Sequence, residues 1–159
     1  FMENEVAFIM AKDVPVDKIK TIEDLKPYVA QVAPAVELPD IRFEGQLDDI
    51  NGIDLIADNV AAGAVILGNP LPIKDVDVDA VEVTMFYDGN VIDRAKATNV
   101  EGSPWNSLLW LVKELDKRGK PLKAGWFVIT GAMGKFMPAQ PGHYEADYGA
   151  LGKISYDIK

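Results

Sequence analysis

Residues 80–97 constrain the fold more than any other stretch of this chain. Val81, Val83, Met85 and Tyr87 alternate with Glu82, Thr84 and Phe86, the period of two that sets one side of a strand inward and the other outward. Asp88-Gly89-Asn90 follows, with Asp-Gly supplying the positive-φ residues of a tight turn, and Val91 to Ala97 returns as a second strand. An isolated hairpin is marginal in water, so this one must belong to a larger sheet.

The rest of the sequence offers partners for it. Glu3 to Ala11 is apolar, bounded by Lys12-Asp13, and reads as a buried strand. Thr21 is a candidate N-cap with Asp24 three residues on, and Ile22, Leu25 and Tyr28 mark a helix that Pro27 keeps short. Gln31 to Leu38 reads as a second strand, with Pro34 suggesting an edge or a bend and Pro39 closing it. Ile53 to Ala62 is helix-like, and Ala64 to Leu67 is a strand ended by Gly68-Asn69-Pro70. Ser103-Pro104 is an N-cap with proline at the first helical position, followed by Trp105, Leu108, Leu109, Val112 and Leu115 on one face and by Lys117-Arg118-Gly119 as the stop. Trp126 to Thr130 reads as a short buried strand, Gly131 to Gly142 as a loop, and His143–Tyr148 and Lys153–Ile158 as two closing strands. The expected class is α+β: one domain over residues 1–159, with a mostly antiparallel or mixed sheet and one main helix.

Composition narrows the chemistry. The chain has 159 residues, 25 acidic against 16 basic, and a net charge of −9. That balance argues against binding nucleic acid or anionic membranes. A single histidine and no cysteine exclude thiolate sites and multi-histidine metal sites within one chain. The longest apolar stretch, Ala61 to Gly68, is too short to span a bilayer, so a soluble, cytoplasmic protein is expected. The start at Phe1 rather than methionine leads to the expectation of a fragment or a cleaved form.

Glu3 and Glu5 lie two apart on a strand, so both carboxylates leave the same face with Cβ atoms about 7 Å apart. They repel unless a cation lies between them. Glu37 ends the second apolar run, again an acid embedded in a strand. Three such carboxylates would suit an all-oxygen ion such as Mg²⁺ or Mn²⁺, with water and a chelating substrate completing its shell. The competing reading is that Glu3 and Glu5 merely face solvent. Asp58-Asn59 precedes small residues that would let a ligand approach the backbone, or else simply ends a helix. Thr130 follows a buried strand and opens a loop, a common place for a ligand-facing hydroxyl, or else is a strand terminus. His143 reads as a turn or strand-start residue, Asp48-Asp49 and the acids from Asp75 to Asp79 as solvated turns, and Trp105 and Trp110 as core or subunit contacts.

Taken in order, the blocks Glu3-Asn4-Glu5-Val6-Ala7-Phe8, Pro34-Ala35-Val36-Glu37-Leu38-Pro39-Asp40-Ile41-Arg42-Phe43, Ile56-Ala57-Asp58-Asn59, Gly68-Asn69-Pro70, Asn106-Ser107-Leu108-Leu109-Trp110-Leu111, Leu122-Lys123-Ala124-Gly125 and Ile129-Thr130-Gly131-Ala132 resemble the 2-keto-4-pentenoate hydratase family. So does the ending Pro141-Gly142 … Tyr148-Gly149-Ala150-Leu151-Gly152. The family belongs to the fumarylacetoacetate hydrolase superfamily, and the resemblance implies its β-rich mixed-sheet roll with a metal site at one mouth. It also implies that Glu3, Glu5 and Glu37 bind Mg²⁺ or Mn²⁺, that the substrate is a 2-hydroxydienoate or its 2-oxo tautomer from aromatic catabolism, and that water is added to give a 4-hydroxy-2-oxo acid. The same logic serves relatives that decarboxylate 4-oxalocrotonate. The family tends to form homo-oligomers. Its members carry an N-terminal region, with a lysine and an aspartate proposed for proton transfer, that this chain is expected to lack. No general acid or base is assigned here. Two alternatives remain: a noncatalytic domain that binds metal and 2-oxo acid, and a hydrolase of a carbon–carbon bond in a β-diketone-type substrate, for which His143 is the one histidine available to activate water.

Overall fold

The computed structural model describes residues 1–44 and 50–159; the turn expected at Asp48-Asp49 lies outside the described residues. The first strand, β1 (Glu3–Met10), is followed by a one-turn helix α1 (Ile22–Leu25) and the long strand β2 (Val29–Leu38). Thr21 caps α1 by the expected reciprocal exchange with Asp24. A short helix α2 (Gly52–Ala57) leads to β3 (Ala64–Leu67) and β4 (Leu71–Pro72). The hairpin is β5 (Glu82–Tyr87) and β6 (Asn90–Lys96), and the main helix α3 (Pro104–Lys117) comes next. Strands β7 (Phe127–Ile129), β8 (Gly142–Asp147) and β9 (Lys153–Ile158) complete the chain.

Among the described residues these strands form a five-stranded sheet, ordered β3-β2-β1-β7 with β4 also on β2, and a four-stranded sheet ordered β6-β5-β8-β9. Every strand pairing in both is antiparallel, which resolves the expected antiparallel or mixed sheet. The hairpin turns on Asp88 (φ 46°) and Gly89 (φ 80°), so Asn90 belongs to the strand rather than to the turn. One core joins the sheets and the helix: Val6, Phe8, Val32 and Val36 meet Val83, Met85, Ala146 and Ile154, with Trp105, Leu108 and Val112 of α3. The Phe8 and Trp105 rings lie 4.6 Å apart at its centre. Trp110, by contrast, points outward and is 62% exposed.

Three expectations need correction. The segment at Trp126–Thr130 is not a buried strand: β7 is an outer strand that pairs only with β1 among the described residues, so Trp126 and Phe127 are exposed and Val128 alone of the pair-forming apolar side chains is buried. Pro34 lies in an interior strand rather than at an edge. Its carbonyl accepts the Gly68 amide, so its missing N–H faces the same side, where β3 pairs with residues 35–38 and β4 with residues 31–32 and neither pairs with Pro34. The proline occupies a local gap in an otherwise paired strand. The helix-like run Ile53–Ala62 stops at α2, and residues 59–61 turn left-handed instead.

Gly68 sits against that proline. A Cβ there would lie 2.5 Å from Pro34 Cγ and 3.1 Å from Ile154 Cγ1, and a proline ring held in a strand cannot swing aside. We expect Gly68→Ala to destabilise the chain by about 1–3 kcal/mol, read as a lower urea midpoint. Gly52→Ala, at a position with nothing within 4 Å of the new Cβ, serves as the control and should leave the midpoint unchanged or raised.

Candidate metal centre

Antiparallel pairing of β1 with β2 sets Glu3 opposite Glu37, Glu5 opposite Ala35 and Ala7 opposite Ala33. Directly opposed residues share a face, so one face of this strand pair carries three glutamates and three alanines. The other carries Asn4, Val6 and Phe8 against Val36, Pro34 and Val32, and Val6, Phe8, Val32 and Val36 enter the core. The register therefore brings together the three acids that the spacing singled out: each offers a carboxylate oxygen, and these oxygens lie within 4.8 Å of one another. Glu5 is 1% exposed, which removes the reading of it as a solvent-facing strand residue.

Burial and mutual repulsion make this cluster costly as a set of bare anions. The Glu5 carboxyl is pushed up to about 8, chiefly by burial and further by its neighbours Glu37 and Glu3, against the pull of the Gly131 N–H that donates to Glu5 Oε2 at 2.6 Å. Glu3 is also raised, first by burial and then by Glu37. Like charges directly opposite each other on a sheet are destabilising. A hard divalent cation reverses that sign. The donor set fits one: three carboxylates, all oxygen, close enough to share an ion, without nitrogen or sulfur ligands.

Glu3 and Glu37 open onto a groove of about 520 Å³ whose other walls include Ile41, Leu55, Asn59, Val60 and Phe136. Of the residues expected to meet substrate, Asn59 is in this wall. Asp58 stands behind it, where its Oδ1 accepts from Arg42 Nε at 2.8 Å and its Oδ2 is buried without a partner among the described residues. Asn59, Val60 and Ala61 have φ of 56°, 55° and 57°. A left-handed conformation costs an L-residue about 1–2 kcal/mol, so three in succession are a strained wall for a groove. Thr130 is placed differently. Its hydroxyl donates to the Val6 carbonyl at 3.2 Å, and it lines a separate depression with Ser107 and Trp110. Its neighbour Gly131 is the residue that reaches the cluster. His143 lies on β8, with Nδ1 2.8 Å from Asp157 and Nε2 3.1 Å from Ser155, and it is not among the residues lining the groove. Sequence reasoning gave no role to Gly131 or Arg42: a backbone donor has no side-chain signature, and Arg42 stood in a recognised block without a visible partner.

No family model matches the chain. A 2-keto-4-pentenoate hydratase from Paraburkholderia phymatum is 32% identical to it over 155 residues, which is 96% of this chain and 58% of that relative. The chain is related to the 2-keto-4-pentenoate hydratases. It spans little more than half the length of the curated hydratases it matches. Among solved structures, 4-oxalocrotonate decarboxylase from Pseudomonas putida G7, complexed with magnesium and adipate, superposes with a TM-score of 0.87 at 26% identity, over 97% of this chain and 58% of that one. The same decarboxylase has also been solved with calcium and acetate. A fumarylacetoacetate hydrolase family protein from Yersinia pestis shares the fold at a TM-score of 0.74 and 14% identity, over 99% of this chain and 72% of that one.

The raised carboxyl has a testable consequence. In the folded chain Glu5 keeps its proton up to about pH 8, whereas in the unfolded chain it loses it near 4.5. Between those values the folded state binds more protons, so the stability contributed by Glu5 is complete below the unfolded value and is lost as pH rises. With divalent ions chelated, we expect stability to fall between pH 5 and pH 8 by on the order of 1–3 kcal/mol from this group. Urea unfolding of the Glu5→Gln variant should remove most of that difference; an unchanged pH slope would contradict it.

Proposed function

We propose that this chain is the metal- and substrate-binding domain of a hydro-lyase that adds water to a 2-hydroxy-2,4-dienoate, of the 2-oxo-4-pentenoate type, giving a 4-hydroxy-2-oxo acid in aromatic catabolism. The observation that carries the reading is the convergence of Glu3, Glu5 and Glu37, with Glu3 and Glu37 lining a groove, in a chain related to hydratases over 96% of its length. In this reading the three glutamates hold a divalent cation, Mg²⁺ or Mn²⁺. When bound, that ion supplies Lewis-acid stabilisation of the negative charge that develops on the 2-oxygen of the substrate during ketonisation.

The chain's own residues supply the rest of the setting. The Gly131 N–H fixes Glu5 Oε2 and so orients the most buried ligand. Ile41, Leu55, Val60 and Phe136 form an apolar wall suited to an uncharged diene. Asn59 lines the same groove as Glu3 and Glu37, and its amide, both donor and acceptor, could meet a substrate carboxylate or oxo group. No general acid or base is assigned among these residues. A decarboxylase of the 4-oxalocrotonate type is the second reading, favoured by the close superposition on that enzyme. Both readings use the same ion site and differ in product: a hydratase yields one hydrated acid, a decarboxylase releases carbon dioxide.

Two measurements test the proposal. Each of Glu3→Gln, Glu5→Gln and Glu37→Gln should weaken Mn²⁺ binding at least about tenfold, followed by calorimetry or by the Mn²⁺ electron-spin signal. Loss of diene absorbance in the presence of Mg²⁺ should be far slower for Glu5→Gln than for the unaltered chain; equal rates would refute the metal role.

A further inference from the structure

The strained turn beside the carboxylates is held by one side chain. We propose that Arg42 is a positioning residue: it clamps both ends of the left-handed turn 59–61 and thereby keeps Asn59 and the backbone of residues 60–62 as a fixed wall of the groove. Three contacts make the clamp. Arg42 Nε donates to Asp58 Oδ1 at 2.8 Å, Nη2 to the Asp58 carbonyl at 2.7 Å, and Nη1 to the Ala62 carbonyl at 3.0 Å. Asp58 precedes the turn and Ala62 follows it, so a single planar guanidinium spans the strained residues.

The surroundings fit this role. The pair is partly exposed, with Arg42 at 42% and Asp58 at 14% side-chain exposure, so as an isolated ion pair it would contribute little. Its contribution is geometric, because two of its three hydrogen bonds go to backbone carbonyls. The turn is also pinned from the other side: the Asp40 N–H donates to the Ala61 carbonyl at 2.8 Å. A Cβ on Gly63 would lie 2.5 Å from the Leu38 carbonyl, so the chain leaving the turn runs hard against the end of β2, the strand that carries Glu37. Val60 is the residue least suited to this conformation, being β-branched at φ 55°. Without the clamp, its preference for negative φ would pull the wall out of shape.

The test turns on rescue. Where Arg42 acts by holding a strained turn, relieving the strain must replace it; where it touches ligand directly, relieving strain does nothing. Glycine adopts positive φ freely, so Val60→Gly is the relieving change. The first readout needs no ligand: hydrogen exchange of the Asp40 amide, with the Gly131 amide bound to Glu5 as internal reference. Arg42→Gln should speed Asp40 exchange about tenfold and leave Gly131 unchanged. Adding Val60→Gly should return Asp40 toward the original rate. The second readout rests on the proposed function and uses Mn²⁺ alone, then pyruvate in the presence of Mn²⁺. Arg42→Gln should leave Mn²⁺ affinity unchanged and weaken pyruvate about fivefold; rescue by Val60→Gly is read from Asp40 exchange alone, because Val60 itself lines the groove. Should Arg42→Gln fail to fold, Arg42→Lys keeps the charge, lacks the three-pronged fork and should show the same pattern. Unchanged Asp40 exchange in Arg42→Gln, fast exchange that Val60→Gly does not slow, or undiminished pyruvate affinity in Arg42→Gln overturns the clamp. Failure of the unaltered chain to bind Mn²⁺ and pyruvate would remove the hydratase reading, while the exchange comparison would still decide the role of Arg42.

Discussion

The structure depends on the register of β1 against β2. In that register Glu3, Glu5 and Glu37 share a face with Ala7, Ala33 and Ala35, while Val6, Phe8, Val32 and Val36 fill the core. A slip by one residue would exchange the faces, driving glutamates into the apolar core and large side chains into the groove. The arrangement that satisfies the core is therefore the one that crowds three acids together. The fold supplies the stability to hold them, and a cation bound among them would turn their repulsion into attraction.

The surrounding elements serve that register. Trp105 of α3 packs on Phe8, gripping β1 from the face opposite the acids. The Tyr148 hydroxyl, which follows β8, donates to the Ala35 carbonyl, so the second sheet is tied to β2 at the residue paired with Glu5. The segment after β7 returns along β1: the Met133 N–H donates to the Asn4 carbonyl, and Met2 and Met137 exchange both backbone bonds. This return carries Gly131 to Glu5 and Phe136 to the groove. Core packing, inter-sheet ties and the loop after β7 thus converge on the same few residues of β1 and β2, which is where the hydratase reading places binding.

Much of this was legible in the sequence, for physical reasons that can be named. The alternation around Asp88-Gly89, the Thr21 and Ser103 caps and the proline at position 104 are local signals, and the elements they mark formed as expected. The three acids were visible because charges inside apolar strands are rare, and antiparallel pairing then brought them together. What stayed hidden was set by distant partners. Trp126 and Phe127 looked buried because an apolar run does not reveal that its strand is the outer one. The left-handed turn at Asn59-Val60-Ala61 runs against local preference, and the guanidinium that spans it comes from a residue 16 positions before Asp58 and 20 before Ala62. Pro34 suggested an edge or a bend, because the gap between β3 and β4 that admits it in an interior strand exists only in three dimensions.

The most direct test of the central claim is anomalous diffraction from crystals of this chain grown with Mn²⁺. The account predicts one strong manganese peak bonded to carboxylate oxygens of Glu3, Glu5 and Glu37 at roughly 2.1 Å, facing the groove beside Asn59. A peak at other carboxylates, or none at this cluster under saturating Mn²⁺, would contradict it.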